Sequence, residues 1–187
     1  MSYPVHRRRL RSDLQTDGGV IFSLRLRRDV SVNVEMRVDA PGQREYAEEA
    51  WDLKERIRVE EGLLKQRRGF FMDAYRRSNT YLLYENDALV AFASTRRDGY
   101  ILFLAVSPDA RGEGYGKRLV AEVAREHPVV TCHARTTNTN ALDFYERMGF
   151  EVRRRIDNYY EDGGAAFYLR LGEEAGLREK LSEFLRR

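Results

Sequence analysis

Cysteine is almost absent from this sequence, because Cys132 is the only one among 187 residues. A single thiol cannot form an internal disulfide, which is typical of proteins from the reducing cytoplasm. Long apolar runs are also missing: none approaches the ~20 residues of a transmembrane helix, and none forms a signal-peptide core at the N-terminus. No set of His and Cys residues has the spacing of a metal site. We therefore expect a cytoplasmic protein that makes no membrane contact and binds no metal.

The excess of positive charge lies at the N-terminus. Residues 1–28 hold seven Arg and two Asp, a net charge of +5, whereas the whole chain carries +3 and the remainder therefore −2. A basic arm of this kind is compatible with contact to a ribosome or to nucleic acid. The arginines near the start have no interleaved aromatic side chains, which favours a solvated tail over a specific nucleic-acid site. We predict a disordered arm over residues 1–18.

The length and the mixture of 42% apolar and 34% charged residues fit one globular domain. Apolar–polar alternation predicts strands at 20–27 and 30–38, and helical spacing predicts one or two helices over 43–68, with Gly62 as the break if there are two. The other predicted strands are 80–84, 88–94, 100–106, 129–134, 150–156 and 165–171, and the other predicted helices are 70–77, 116–126, 140–148 and 172–187. This order predicts an α+β domain over residues 19–171, followed by a C-terminal helical extension over 172–187.

A glycine-rich segment follows the predicted strand that ends at Val106. It holds Gly112, Gly114 and Gly116 just before a predicted helix. Strand, glycine-rich turn and helix in this order can hold a phosphate group, because glycines permit close backbone approach and the N–H groups of the helix start point at the anion. The segment has neither the Lys-Ser/Thr pair of a nucleotide P-loop nor the acidic strand end of a dinucleotide fold. A turn without any ligand is the alternative, since short glycine motifs are weak evidence on their own.

This segment resembles the diphosphate loop of the GCN5-related N-acetyltransferase (GNAT) superfamily, whose pattern is Arg/Gln-x-x-Gly-x-Gly/Ala. Arg111, Gly114 and Gly116 fill that pattern. The other signature of the family, an Asn followed at the seventh position by Tyr and then by Gly-Phe, is matched by Asn138 and Tyr145. The 22 residues from Gly116 to Asn138 leave room for one helix and one strand.

The resemblance implies a GNAT fold, in which a central, mostly antiparallel twisted sheet of about seven strands is flanked by about four helices. It also implies direct transfer of an acetyl group from acetyl-CoA to an amine within a ternary complex. The backbone of residues 111–116 would hold the diphosphate, and the pantetheine arm would pair with the strand that ends at Val106. The implied cofactor-binding residues are Leu104, Ala105, Val106, Arg111, Gly112, Glu113, Gly114, Tyr115, Gly116, Lys117, Asn138 and Tyr145.

The catalytic residues that the resemblance implies are Tyr145, His133 and Tyr100. A phenol with a pKa near 10 suits the general acid that protonates a leaving thiolate, and the resemblance gives Tyr145 that role. His133 stands where bacterial N-terminal acetyltransferases often carry Glu, and where the eukaryotic NatE catalytic subunit carries a His that acts with a Tyr from the preceding strand, here Tyr100. An imidazole can accept a proton from an ammonium group. The alternatives are that Tyr145 is a core aromatic and that His133 is an ordinary strand histidine.

The predicted substrate residues are Tyr159 and Tyr160, with Phe70 and Phe71 on the opposite wall. Asn-Tyr-Tyr in the loop between the last two strands resembles N-terminal acetyltransferases, in which that loop and the one joining the first two helices form a peptide groove. An aromatic strand end is the alternative interpretation. The resemblance thus implies that the chain acetylates the α-amino group of protein N-termini. An acetyltransferase for small amines and a non-catalytic acyl-CoA-binding module that docks on ribosomes stay open as alternatives.

Overall fold

The computed structural model describes residues 33–63 and 65–172. Three sequence predictions lie outside the described residues: the arm over 1–18, the strand over 20–27 and the C-terminal helix after Gly172. The proposed domain boundaries therefore stay predictions.

The described residues form a seven-stranded sheet and four α-helices. The strands are β1 (Val34–Asp39), β2 (Asn79–Glu85), β3 (Ala88–Thr95), β4 (Tyr100–Val106), β5 (Val130–Arg135), β6 (Glu151–Ile156) and β7 (Ala166–Leu171). The helices are α1 (Ala47–Glu61), α2 (Arg68–Arg76), α3 (Tyr115–Glu126) and α4 (Thr139–Arg147), with a 3₁₀ turn at Pro108–Ala110. The strand order is β1-β2-β3-β4-β5-β7-β6, and only the β4–β5 pair is parallel. The predicted mixed, mostly antiparallel fold is confirmed.

The segment over 43–68 is a single helix, shorter at both ends than its sequence pattern. At its start, α1 begins after Tyr46, whose N–H donates to the buried carboxylate of Asp39 at 3.0 Å. The same carboxylate accepts the hydroxyl of Tyr75 at 2.7 Å. Gly62 ends the helix, since its φ of 69° is a left-handed conformation that a side chain would strain. The chain therefore leaves α1 at Gly62, and among the described residues of this segment no second helix begins before α2 at Arg68.

The sheet has an apolar core on each face. Alternation along β2 shows the division, because Leu83 belongs to the core under α3 and α4 whereas Leu82 belongs to the core under α1 and α2. Each core buries its side chains almost completely, so that the two helical layers fix the sheet between them.

The two parallel strands at the centre of the sheet separate early. β4 pairs with β5 only through Tyr100 with Thr131 and Ile101 with Cys132. An extra residue on β4 accompanies the separation, because Thr95 of β3 faces Ile101 while the preceding Ser94 faces Phe103. Beyond the second pair, the edge of β4 that faces β5 has no strand partner, and an open gap results. Among the described residues, no helix is long and apolar enough to cross a membrane.

Candidate active site

A histidine and a tyrosine meet where the gap between β4 and β5 begins. Nδ1 of His133 lies 2.7 Å from the hydroxyl of Tyr100, and the two rings are 5.5 Å apart. Tyr100 begins β4 and His133 lies in β5, so the last paired residues of the two strands fix their separation. The two side chains are thus in hydrogen-bond contact, and their joint role in catalysis stays a prediction.

The loop between β6 and β7, residues 157–165, closes over this pair; we call it the acceptor loop. The ring of Tyr159 is stacked on His133 with centroids 4.3 Å apart and planes at 15°, and its hydroxyl lies 3.3 Å from that of Tyr100. Tyr160 packs edge-on against Tyr159 at 5.0 Å. Tyr159 nevertheless stays 40% exposed, so it covers the pair while presenting a face to solvent.

Burial keeps the imidazole of His133 neutral. The pKa of His133 is lowered from 6.5, first by burial and then by the positive charge of Arg154. Its Nε2 is buried and has no hydrogen-bond partner. A neutral imidazole with one unsatisfied nitrogen can take up a proton, and the unsatisfied atom is a site where a polar group or a water would be stabilised. Burial also raises the pKa of Tyr100, so its phenol stays protonated.

Tyr145 lies behind the gap, in the core under α3 and α4. Its ring packs against Phe144 and Phe150, with centroids 5.2 and 5.0 Å away. Its phenol lies near Cys132, whose thiol pKa burial raises to about 12. Burial raises the pKa of Tyr145 as well, so this phenol is a proton donor at neutral pH and not an acceptor. Tyr145 is thus a core aromatic whose hydroxyl lies near Cys132, the last residue of β5 that pairs with β4.

The glycine-rich segment forms an open cradle at the start of α3. Gly112 and Gly114 have φ values of 90° and 83°, and a Cβ on either would meet no atom within 4 Å. Gly114 is the N-cap of α3, and no side chain caps the helix. A Cβ on Gly116 would lie only 3.2 Å from Phe144, so this glycine lets α3 and α4 pack closely. The cradle therefore offers unshielded backbone N–H groups to an anion.

The charged and aromatic side chains of this segment have partners of their own. Arg111 makes a two-pronged ion pair with Glu61 at the end of α1, with N–O distances of 2.7 and 3.0 Å. The hydroxyl of Tyr115 donates to Glu85 at 2.7 Å, and its ring is buried, so Tyr115 can serve a ligand only through its backbone. Glu113 is exposed, and Lys117 lies in the first turn of α3.

The residues predicted to pair with the pantetheine arm lie where β4 has no strand partner on the side of β5. Leu104, Ala105 and Val106 pair with β3 on one side and have no residue of β5 on the other. The extra residue Leu102 was missed by sequence reasoning, because a bulge leaves no periodic signal in so short a strand. Free backbone N–H groups beside the gap could bind the carbonyl oxygen of an acyl group.

Asn138 caps α4 rather than projecting from it. Its Oδ1 accepts the N–H of Ala141 at 3.1 Å, the usual side-chain cap of a helix start. The family position is therefore filled here by a residue with a structural role, and its cofactor contact stays a prediction.

The prediction for Phe71 is wrong and that for its neighbour is not contradicted. Phe71 is fully buried among Trp51, Tyr75 and Phe103, because it faces the sheet from α2. Phe70, one residue earlier on the helix, points outward and is 55% exposed. A helix turns 100° per residue, so two adjacent aromatics cannot both line one wall.

The acceptor loop is joined to the loop between α1 and α2. Arg67 and Glu161 form an ion pair at 3.5 Å, although both side chains are more than 80% exposed.

The described residues contain no group of three or more His, Cys, Asp or Glu side chains that could hold a metal ion. The site as described thus consists of aromatic, imidazole and backbone groups around a gap in the sheet.

Residues 76–152 match the family model described as acetyltransferase (GNAT) domain. The chain is 42% identical over 54 residues to peptidyl-lysine N-acetyltransferase YjaB of Salmonella typhimurium, a match that covers 29% of this chain and 37% of that protein. It is 39% identical over 81 residues to N-alpha-acetyltransferase 30 of Saccharomyces cerevisiae, covering 41% of this chain and 46% of that protein. The chain therefore spans less than half the length of either relative.

The fold is also similar to a solved structure, that of Naa50 from Arabidopsis thaliana in complex with the bisubstrate analogue CoA-Ac-MVNAL. The two are 25% identical with a TM-score of 0.55, over 74% of this chain and 99% of that one. The matched family model spans the glycine cradle, the gap between β4 and β5, and both His133 and Tyr145. Domain match and fold agree, and residues 76–152 form an acetyltransferase domain of the GNAT family.

Proposed function

We propose that this protein transfers an acetyl group from acetyl-CoA to the α-amino group of protein N-termini. The observation that carries the proposal is the cluster of Tyr100, His133 and Tyr159 at the start of the gap between β4 and β5. It provides a neutral proton acceptor under an aromatic cover, next to an unpaired strand edge.

The residues around the gap fit acetyl-CoA. Gly112 and Gly114 leave open space at the start of α3, where a diphosphate would meet backbone N–H groups. The unpaired edge of β4 over 102–106 offers hydrogen bonds to the two amides of a pantetheine arm. Acetyl-CoA, when bound, supplies the acetyl group as a thioester.

His133 would prepare the amine. An α-ammonium group must lose a proton before its nitrogen can attack a carbonyl carbon, and the neutral imidazole of His133 can accept that proton directly or through one water. Tyr100 holds Nδ1 by its 2.7 Å hydrogen bond, which leaves Nε2 as the free position.

Tyr145 would serve the departing thiolate. When the new N–C bond forms and the C–S bond breaks, the sulfur needs a proton, and Tyr145 keeps its proton because burial raises its pKa. The neighbouring Cys132 thiol is also neutral, because burial raises its pKa.

Two observations support a chain end as the acceptor. The Arg67–Glu161 ion pair brings the acceptor loop close to the α1–α2 loop, and these two segments would form the walls of a peptide groove. The yeast relative is named an N-alpha-acetyltransferase, and the Arabidopsis structure contains an acetylated pentapeptide analogue. The ribosome contact and the cytoplasmic location expected from the sequence stay predictions.

A peptide lysine is a second candidate acceptor, because the relative from Salmonella is named a peptidyl-lysine N-acetyltransferase. The small-amine and non-catalytic alternatives stay open as well. The same assay separates all four.

The test compares three acceptors by mass spectrometry with acetyl-CoA in excess. They are a lysine-free peptide with a free N-terminus, an N-terminally formylated peptide with one internal lysine, and spermidine. We expect acetylation of the first alone and its loss in His133→Ala. Preferential acetylation of the lysine peptide or of spermidine would replace the proposed substrate, and no acetylation of any acceptor despite acetyl-CoA binding would favour the non-catalytic module.

A further inference from the structure

The acceptor loop is held in place by an arginine that lies outside both family signatures. Arg135 is the last residue of β5, two positions after His133, and side chains two apart on a strand point to the same face. The guanidinium therefore lies on the face of the sheet that carries the imidazole, beside the loop that covers it.

Arg135 contacts the acceptor loop at two points. Its Nη1 lies 3.0 Å from Oδ1 of Asp162, and its Cζ lies 4.0 Å from the centroid of the Tyr160 ring. Its side chain is only 25% exposed, so this ion pair is better shielded than those on the outer surface. A planar guanidinium can serve a carboxylate and an aromatic face together, which an ammonium group cannot do as well.

The turn of the loop is built around that guanidinium. Oδ1 of Asp162 also accepts the N–H of Gly164 at 3.1 Å, and the N–H of Tyr160 donates to the carbonyl of Gly164 at 3.0 Å. A Cβ on Gly164 would collide with Nη1 of Arg135. Only a glycine lets the guanidinium lie against the turn, so arginine and turn fit each other closely.

The contact reaches His133 through two aromatic rings. Tyr160, which the guanidinium covers, packs edge-on against Tyr159, and Tyr159 is stacked on His133. We propose that Arg135 is a positioning residue of the acceptor site, whose guanidinium holds the acceptor loop so that Tyr159 stays stacked on His133. The inference rests on the proposed function, because it assigns the loop to the acceptor site.

The titration of His133 reports this placement directly. The groups that face its ring are the phenols of Tyr100 on β4, Tyr159 in the acceptor loop and Tyr168 on β7, and the guanidinium of Arg154 on β6. Burial lowers the pKa of His133, and Tyr159 supplies part of the cover. If the loop moves away, water reaches the imidazole and its pKa rises toward the ordinary 6.5.

The experiment follows the His133 ring signals by NMR as a function of pH in the full chain. The variants are Arg135→Met, Arg135→Lys and Asp162→Asn, and the matched control is Arg153→Met, which removes another Arg–carboxylate pair of 3.0 Å length on β6. We expect the pKa of His133 to rise in the first three variants and to stay unchanged in the control. Arg135→Lys keeps the positive charge, so a shift there reflects placement and not lost charge.

Kinetics provide the second measurement. We expect kcat/KM for the acceptor peptide to fall about 10- to 100-fold in Arg135→Met, with KM for acetyl-CoA within about twofold of wild type. An unchanged His133 pKa together with an unchanged acceptor kcat/KM would overturn the proposal. Should Arg135→Met fail to fold, the same criterion applies to Asp162→Asn. The titration requires no turnover, so it judges the placement of His133 even if peptides prove not to be the acceptor.

Discussion

The hydroxyl of Tyr100 lies 2.7 Å from Nδ1 of His133, beside the two residue pairs that join β4 to β5. The short pairing of β4 with β5 therefore has two structural effects. It fixes the distance between the two side chains, and immediately afterwards the strands separate into the gap in which we propose that acetyl-CoA binds. The reacting groups would meet where the pairing of β4 with β5 ends and the gap between the two strands begins.

The first prediction concerns His133 as the proton acceptor. His133→Ala should lower kcat by about 100-fold, the usual contribution of a general base. In the wild type the rate should fall as the pH falls through the pKa of His133, which burial places below 6.5, because the protonated imidazole cannot accept a proton. The measurement is a pH–rate profile with the acceptor peptide, in which His133→Ala should flatten the acidic limb.

Two variants sharpen that prediction. His133→Glu should restore part of the activity, since a carboxylate is also a proton acceptor. His127→Ala is the control, because His127 follows the last residue of α3 and lies outside the cluster of Tyr100, His133 and Tyr159. If His133→Ala kept both the rate and the pH profile, the base would lie elsewhere, with Tyr100 or an ordered water as the next candidate.

The second prediction concerns Tyr145 as the proton donor. Tyr145→Phe should lower kcat by about 100-fold and leave the Kd of acetyl-CoA similar, because it removes a transferable proton and keeps the ring. Calorimetry gives the Kd and steady-state kinetics give kcat. Tyr81→Phe is the control, since Tyr81 is another buried phenol of the same core and is bonded to Asn79. Equal losses of kcat and affinity would make Tyr145 a residue that orients the cofactor.

Local sequence patterns predict the positions of most strands and helices in this molecule well. The apolar runs of β2 to β4 and the stops at Gly62 and Gly149 are properties of a few neighbouring residues, so the elements can be located from the chain alone. His133, Tyr100 and Tyr159 could be brought together only through the family resemblance, because they lie on three separate segments.

The partners of charged side chains could not be predicted. Arg111 faces Glu61 across 50 residues, and Arg135 faces Asp162 across 27. Both pairs depend on how helices and loops pack, and no local period encodes them. Phe71 was misplaced for a related reason: which of two adjacent aromatics on a helix faces the core depends on the rotation of the helix, not on composition.

The third prediction tests the glycine cradle. Gly114→Val should weaken acetyl-CoA binding at least about tenfold, since the side chain would occupy the space through which an anion approaches the backbone. Gly42→Val is a matched control, because Gly42 also has a positive φ and open surroundings but lies near the start of α1. Calorimetry measures both affinities. Equal binding by the two variants would contradict the assignment of the cradle.

The fourth prediction follows from the Arg111–Glu61 ion pair. A diphosphate that approaches Arg111 must compete with a carboxylate already bound to it. Glu61→Gln should therefore tighten acetyl-CoA binding by up to about fivefold, the range expected for a partly exposed pair, whereas Arg111→Met should weaken it. Glu122→Gln on α3, which removes the partner of Arg125, should leave the affinity unchanged. Weaker binding in Glu61→Gln would mean that the carboxylate orients Arg111 for the cofactor instead of competing with it.

The last prediction separates the two adjacent phenylalanines of α2. Phe71→Ala should lower the free energy of unfolding by about 3–5 kcal/mol, because it leaves a cavity among Trp51, Tyr75 and Phe103 in the core under α1 and α2. Phe70→Ala should cost less than about 1 kcal/mol, since the ring is more than half exposed and touches only the edge of the core. Urea unfolding measures both.

The order of the two variants should be the opposite for acceptor binding. Phe70→Ala should raise KM for the acceptor peptide, whereas Phe71→Ala should leave the KM of the folded fraction unchanged. A large loss of stability in Phe70→Ala would place that ring in the core and remove it from the groove wall.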